Sequence, residues 1–152
     1  MASISEQNRG MSSPAPKEFA GAIIVDTRGR YLLQRRDNNP EIRSPGKIGL
    51  FGGHQEIGET SLECVVREVH EEIGWYVPPE NFEHVAAYCG LDASGVYKVE
   101  IFATSDVDVA GLTITEGTLL VVQPEDFFNL IDELTPSAAF AFETFVGRQE
   151  PS

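Results

Sequence analysis

The chain has 152 residues, a length suited to one domain, and its 41% apolar content is enough to build a core. A formal charge of −13, from 24 acidic against 11 basic residues, gives no generic attraction to nucleic acid or to an anionic membrane. An anionic substrate would need cations supplied as metal or as a local cluster of arginines. The amino terminus has no apolar h-region, no apolar run approaches the ~18 residues of a membrane span, and Cys64 and Cys89 make no disulfide framework. Reduced thiols and a cytoplasmic location are therefore expected.

In chain order, residues 1–17 are rich in Ser, Pro and polar residues and read as a flexible tail, with one domain over 18–150. FAGAIIVD, the turn Asp26-Thr27-Arg28-Gly29 and YLLQRR predict a hairpin over 19–36. Residues 37–46 hold two prolines and read as a loop, and KIGLFGG as a short strand ending in two glycines. A helix is expected over 61–73, with Thr60 as N-cap, Glu63 completing a capping box and Gly74 at the C′ position. EHVAAYCG and GVYKVEIFATSDV predict two strands joined by a turn at 91–95. TLLVV is another strand, PEDFFNLIDEL a short helix and PSAAFAFETFVGR a terminal one. The arrangement predicts an α/β fold of the α+β kind, a mixed sheet flanked by helices.

At 100° per residue, Leu62, Val66, Val69 and Ile73 share a face of the central helix that would pack on the sheet. Glu68, Glu71 and Glu72 share another, being related by i+3 and i+4 spacing. Three such carboxylates repel one another, and a hard cation such as Mg2+ or Mn2+ would offset that repulsion. A carbonyl at the Gly52-Gly53 turn could add a ligand, since glycine lets backbone approach an ion or phosphate closely. Standing alone, three glutamates would be read as a solvated helix face.

The context reverses that reading. Gly53, Glu59, Arg67, Glu68, Val69, Glu71, Glu72 and Gly74 match the pattern G-x5-E-x7-R-E-U-x-E-E-x-G-U, where U is bulky and aliphatic. The segment thus resembles the Nudix box. All seven fixed positions agree, and chance agreement is on the order of one in a billion per start position, with each residue type near one in twenty. The departure is Trp75, apolar but not aliphatic, which bears on local packing rather than chemistry. GLFGGHQE is similar to the family's G-x-PGG-x-x-E lead-in, with Phe51 in the proline position. Glu116-Gly117-Thr118 resembles an E-G-Q motif carried by many members. The resemblance covers roughly residues 19–147.

It implies an α/β/α sandwich of the Nudix type with a mixed central sheet. It implies Mg2+ (or Mn2+) held by Glu68 and Glu72, with Glu71 close behind and the Gly52 carbonyl as backbone ligand. Arg67 would pair with Glu59 and orient loop and helix. Glu116 resembles a glutamate placed across the site as metal ligand or general base, although a turn glutamate beside glycine is as readily exposed. Phe51, Gly53 and Glu56 are the further substrate-side candidates, Glu56 either reaching metal or substrate or lying solvated. Arg35, Arg36, Arg43 and Lys47 form a basic cluster, and Arg36 could hold a phosphate or be surface charge. His54 reads as a surface histidine and Cys64 as a buried thiol rather than a nucleophile.

The implied reaction is metal-dependent hydrolysis of the phosphoanhydride bond in a nucleoside diphosphate linked to another group X. Water attacks phosphorus, and a glutamate, Glu116 or one from the box, takes the proton. The expected partner is a small nucleotide, with no nucleic acid or membrane and with a homodimer left open. A proline about fifteen residues past the box marks many ADP-ribose hydrolases, and none occurs between Pro79 and Pro124. The reading leans to nucleoside triphosphates, oxidised nucleotides or nucleotide sugars. The alternatives are a non-catalytic regulatory domain that binds a nucleotide, and an isomerase of isoprenoid diphosphates. The intact box argues against both.

Overall fold

A computed structural model describes residues 16–149. Most of the expected tail, residues 1–15, lies outside them, and the first strand starts at Lys17, one residue inside the expected tail. The strands are β1 (Lys17–Asp26), β2 (Tyr31–Arg35), β3 (Ile48–Gly49), β4 (Phe51–His54), β5 (Glu83–Asp92), β6 (Gly95–Val107) and β7 (Thr118–Val122). The helices are α1 (Ser61–Ile73) and α2 (Pro136–Gln149). The segment Pro124–Glu133, expected as a short helix, is 3-10 in its hydrogen bonding. Among the described residues, no helix is long and apolar enough to cross a membrane.

The seven strands form one mixed sheet. β1 runs through its middle, parallel to β6 on one edge and antiparallel to β2 and β4 on the other. It is buried on both faces because helices cover both. Ile23, Leu33 and Ile101 point to one side and pack with α2, where Phe142 lies between Tyr31 and Phe127, ring centroids 4.9 and 4.6 Å away. Ala22, Ile24, Leu32 and Phe102 point to the other side and pack with α1. The α/β/α sandwich follows from that alternation.

One edge of β1 changes partner along its length. Ile24 and Val25 face β2, whereas Phe19 to Ala22 face β4. The chain makes the complementary switch across Leu50: Gly49 pairs with Gln34 of β2 and Phe51 with Ala22 of β1. The single strand expected over KIGLFGG is therefore two, and the sheet forks where they part. Thr135 N donates to the Ile48 carbonyl at 2.8 Å, which seats the start of α2 beside the fork.

Helix α1 begins and ends as expected. Thr60 Oγ1 accepts from Glu63 N, the Glu63 carboxylate accepts from Thr60 N, and Gly74 closes the helix at φ 69°. Its apolar face is rotated from the predicted one. Cys64, Val65, Val69 and Ile73 are buried, Leu62 and Val66 only partly so, and Glu72 lies among the buried set. Burying three such aliphatic side chains contributes roughly 1.5–3 kcal/mol each. Trp75 fits at the end of the box because its ring lies over Gly111, where an added Cβ would come within 2.6 Å of it.

Candidate active site

A cavity of about 370 Å3 opens at the fork in the sheet, a size ordinary for a small-molecule site. Glu68 and Glu72 from α1, Gly52 and Gly53 from β4, Glu116 from the turn before β7 and Arg36 from the end of β2 all line it. These pieces come from four parts of the chain. The fork brings the β4 glycines under α1, and the β2–β7 pairing of Arg35 with Thr118 brings Glu116 across from them. Gln34, a buried polar residue of β2, donates to the Glu116 backbone carbonyl at 2.9 Å and fixes that turn.

Glu72 is the deepest of the carboxylates, 6% exposed. Gly52 N donates to its Oε1 at 3.0 Å. Burial pushes its carboxyl up to about 8, and the Glu68 and Glu116 carboxylates add to the rise while the Gly52 hydrogen bond opposes it. The close packing of β4 against β1 and against Glu68 depends on the two glycines. A Cβ at Gly52 would lie 2.1 Å from the Ala20 carbonyl oxygen, and one at Gly53 would lie 2.4 Å from Glu68 Cδ.

Arg67 sits behind the cavity as a multiple clamp. Its Nε and Nη2 donate to Glu59 at 2.6 and 2.9 Å, Nη2 also donates to the His54 carbonyl at 3.1 Å, and Nη1 donates to Glu68 at 3.0 Å. The arginine bonds hold Glu59 at about 2, well below the usual carboxylate range. A carboxyl lowered in this way contributes stability above its unfolded range that is lost as pH falls towards 2. Arg67→Lys cannot reproduce the fork that grips both Glu59 oxygens and Glu68 together. We expect about a 10- to 100-fold fall in kcat/KM, the usual cost of losing a partner that orients a ligand. Steady-state assay beside a thermal melt measures it, and a variant at wild-type rate would show that the clamp does not orient the site.

Three of the sequence candidates fall elsewhere. Phe51, expected on the substrate side, is fully buried in the core beneath α1 and does not line the cavity. Its side chain packs beneath α1 at the buried start of β4, while Gly52 and Gly53 further along the strand border the opening. Glu71 is exposed, 3.5 Å from Arg67, and lies outside the lining. The helix rotates it 60° to one side of Glu68, whereas Glu72 lies 40° to the other. Glu56 is also exposed, 3.8 Å from Arg67. Cys64 is buried with its thiol pushed up to about 12, chiefly by desolvation, which makes it inert as a nucleophile. Of the basic cluster, Arg35 pairs with Glu133, and Arg43 pairs with Asp92 while also lining the cavity. Arg36 turns to the cavity, its charge disfavoured by burial and supported by Glu116 and Glu72.

The NUDIX domain model matches residues 16–140. The chain belongs to the NUDIX family. An ADP-ribose pyrophosphatase of Methanocaldococcus jannaschii is 31% identical over 123 residues, covering 81% of the chain and 67% of that protein. The NAD-capped RNA hydrolase NudC of Stutzerimonas stutzeri is 35% identical over 80 residues, 49% of the chain. That match spans only 28% of the NudC relative's length. The crystal structure of a MutT protein from Methanosarcina mazei superposes with a TM-score of 0.73 at 24% identity, over 92% of the chain and all of that structure, which supports the fold.

Members of the NUDIX family generally use divalent metal, and the donors present suit one. Glu68 and Glu72 offer hard carboxylate oxygen, and the raised Glu72 carboxyl marks a place where negative charge lacks compensation. Gly53 keeps open a cradle that a Cβ would fill. Among the described residues, no three His, Cys, Asp or Glu side chains already converge as a metal cluster. A cation here would draw its remaining ligands from backbone, water or substrate oxygen.

Proposed function

We propose that this chain is a metal-dependent NUDIX pyrophosphohydrolase acting on a nucleoside diphosphate linked to X. The observation that carries the reading is the buried carboxylate of Glu72, backed by Glu68, facing Glu116 and the Arg36 guanidinium across one cavity. Glu68 and Glu72 would hold Mg2+ (or Mn2+), with the Gly52 carbonyl as a further ligand. Bound there, the cation would neutralise phosphate oxygen and acidify the attacking water. Arg36 binds a phosphate of the substrate, since its planar guanidinium suits phosphate oxygens. Water attacks phosphorus, its proton passes to Glu116, and the anhydride P–O bond breaks to release a second phosphate-bearing product. Arg67 and Glu59 keep Glu68 aimed, and Gly53 leaves room for its carboxylate.

The substrate class is drawn from two sides. The sequence leans to nucleoside triphosphates, oxidised nucleotides or nucleotide sugars, while the name of the M. jannaschii relative puts ADP-ribose beside them. The test is a panel of these compounds with isopentenyl diphosphate added, incubated with Mg2+ and followed by product chromatography. Hydrolysis that stops with EDTA supports the reading. Saturable binding with no turnover would replace it with a regulatory domain, and rearrangement of isopentenyl diphosphate with an isomerase.

A further inference from the structure

The loop between β2 and β3 is pinned to a hairpin tip far away in sequence, and Arg43 is the pin. Its guanidinium lies over the Phe19 ring at 5.0 Å and the Tyr97 ring at 4.7 Å. The same group pairs with Asp92 at the end of β5. Asp92 is itself set by the turn, accepting from Ser94 N at 2.9 Å and from Ser94 Oγ at 2.7 Å. The Arg43 backbone carbonyl accepts from Arg36 Nε at 2.7 Å. The next residue, Ser44, has φ 50°, a left-handed conformation uncommon outside glycine. Arg36 thus has its inner nitrogen committed to the loop, while among the described residues its terminal nitrogens have no protein partner and it lines the cavity.

We propose that Asp92 and Arg43 form a positioning latch that aims Arg36 at the phosphate of the substrate. This rests on the pyrophosphohydrolase reading, and its chemistry follows from the parts. An arginine on a flexible stem loses side-chain entropy when it binds phosphate. A fixed carbonyl on Nε orients the fork in advance, and the carbonyl is fixed because its own side chain is held by a carboxylate and two aromatic faces. Arg43 borders the same cavity as Arg36, but in this scheme neither it nor Asp92 touches a reacting atom and both act through Arg36, which the cycle with Arg36→Ala separates from direct contact.

The test is a double-mutant cycle on the full chain with Mg2+ and whichever panel compound it turns over. Asp92→Asn and Arg43→Met should each raise KM about tenfold with kcat within about twofold, as losing an orienting partner does. Asp92→Asn added to Arg36→Ala should raise KM no further, because the latch has nothing left to aim. Arg43→Lys replaces Arg43→Met if that variant melts early, and should restore part of the KM by keeping the ion pair. An equal KM rise from Asp92→Asn with and without Arg36, or a fall in kcat at constant KM, would overturn the latch. If the wild-type chain turns over nothing, the hydrolase reading fails by itself. The same cycle is then run on calorimetric binding of inorganic pyrophosphate with Mg2+, where additive losses, or no binding by wild type, overturn the latch.

Discussion

Glu72→Gln should cut kcat/KM by about 1,000-fold in a protein that melts no lower than wild type. The rate estimate follows from losing one carboxylate of the proposed metal site, where a bound cation would supply several kcal/mol to the transition state and each 1.36 kcal/mol is tenfold. The stability estimate follows from burial. Glutamine keeps the oxygen that accepts from Gly52 N and removes a charge from beside Glu68 and Glu116. The folded-state value of about 8 lies above the ordinary 4.5, so the folded chain binds a proton more tightly than the unfolded one. Wild-type stability from this group is complete below about 4.5 and is lost as pH rises through 8. Metal-free wild type should therefore lose on the order of a few kcal/mol between pH 5 and 8 that Glu72→Gln does not lose. Melts across that range with EDTA, set beside the assay, measure both halves. A variant that melts well below wild type at pH 8 would remove the buried charge from the account.

The two glycines of β4 should fail in different ways. Gly52→Ala puts a methyl group 2.1 Å from the Ala20 carbonyl oxygen and 2.6 Å from Gly21 Cα, both backbone of the central strand. Neither can move without breaking the β1–β4 pairing, so we expect a loss of about 3 kcal/mol or more and a Tm lower by ~6–12 °C. Gly53→Ala meets the far end of the Glu68 side chain instead. That carboxylate can swing aside, at the cost of its place by the cavity and of its bond to Arg67. The variant should melt near wild type and lose activity by about 100-fold or more. Differential scanning calorimetry with the activity assay separates the two outcomes. Equal melting points for both variants would contradict the contacts described at Gly52.

Much of this was legible beforehand because it is local. The capping box at Thr60 and Glu63 and the closing glycine at 74 are set by spacing along one helix, and the partnership of Arg67 with Glu59 follows from the resemblance to the Nudix box. What spacing could not show is which neighbour each face meets. Helical periodicity put Glu71 and Glu72 together, but the sheet lies on one side only, so Glu72 is buried and Glu71 is left in solvent. Phe51 belongs to the lead-in motif, yet its side chain packs into the core beneath α1, a contact the motif does not show. Asp92 and Tyr97 carry no motif, and the parallel pairing of β1 with β6, which sets Phe19 opposite Val99 and Lys17 opposite Tyr97, joins residues 80 apart. Gln34 offers a signal for the Glu116 turn, a polar residue at a buried position of β2.

The sheet also works as a partition. The cluster beneath α1 and the cluster beneath α2 share no buried side chain. Glu68, Glu72 and Arg67 ride on the first, while Tyr97 and the start of α2 belong to the second. Substitutions on opposite sides, kept out of the cavity itself, have few shared neighbours through which to couple, so their free-energy effects should sum. A lineage carrying this framework could rework one wall of the cavity by small steps while leaving the other in place.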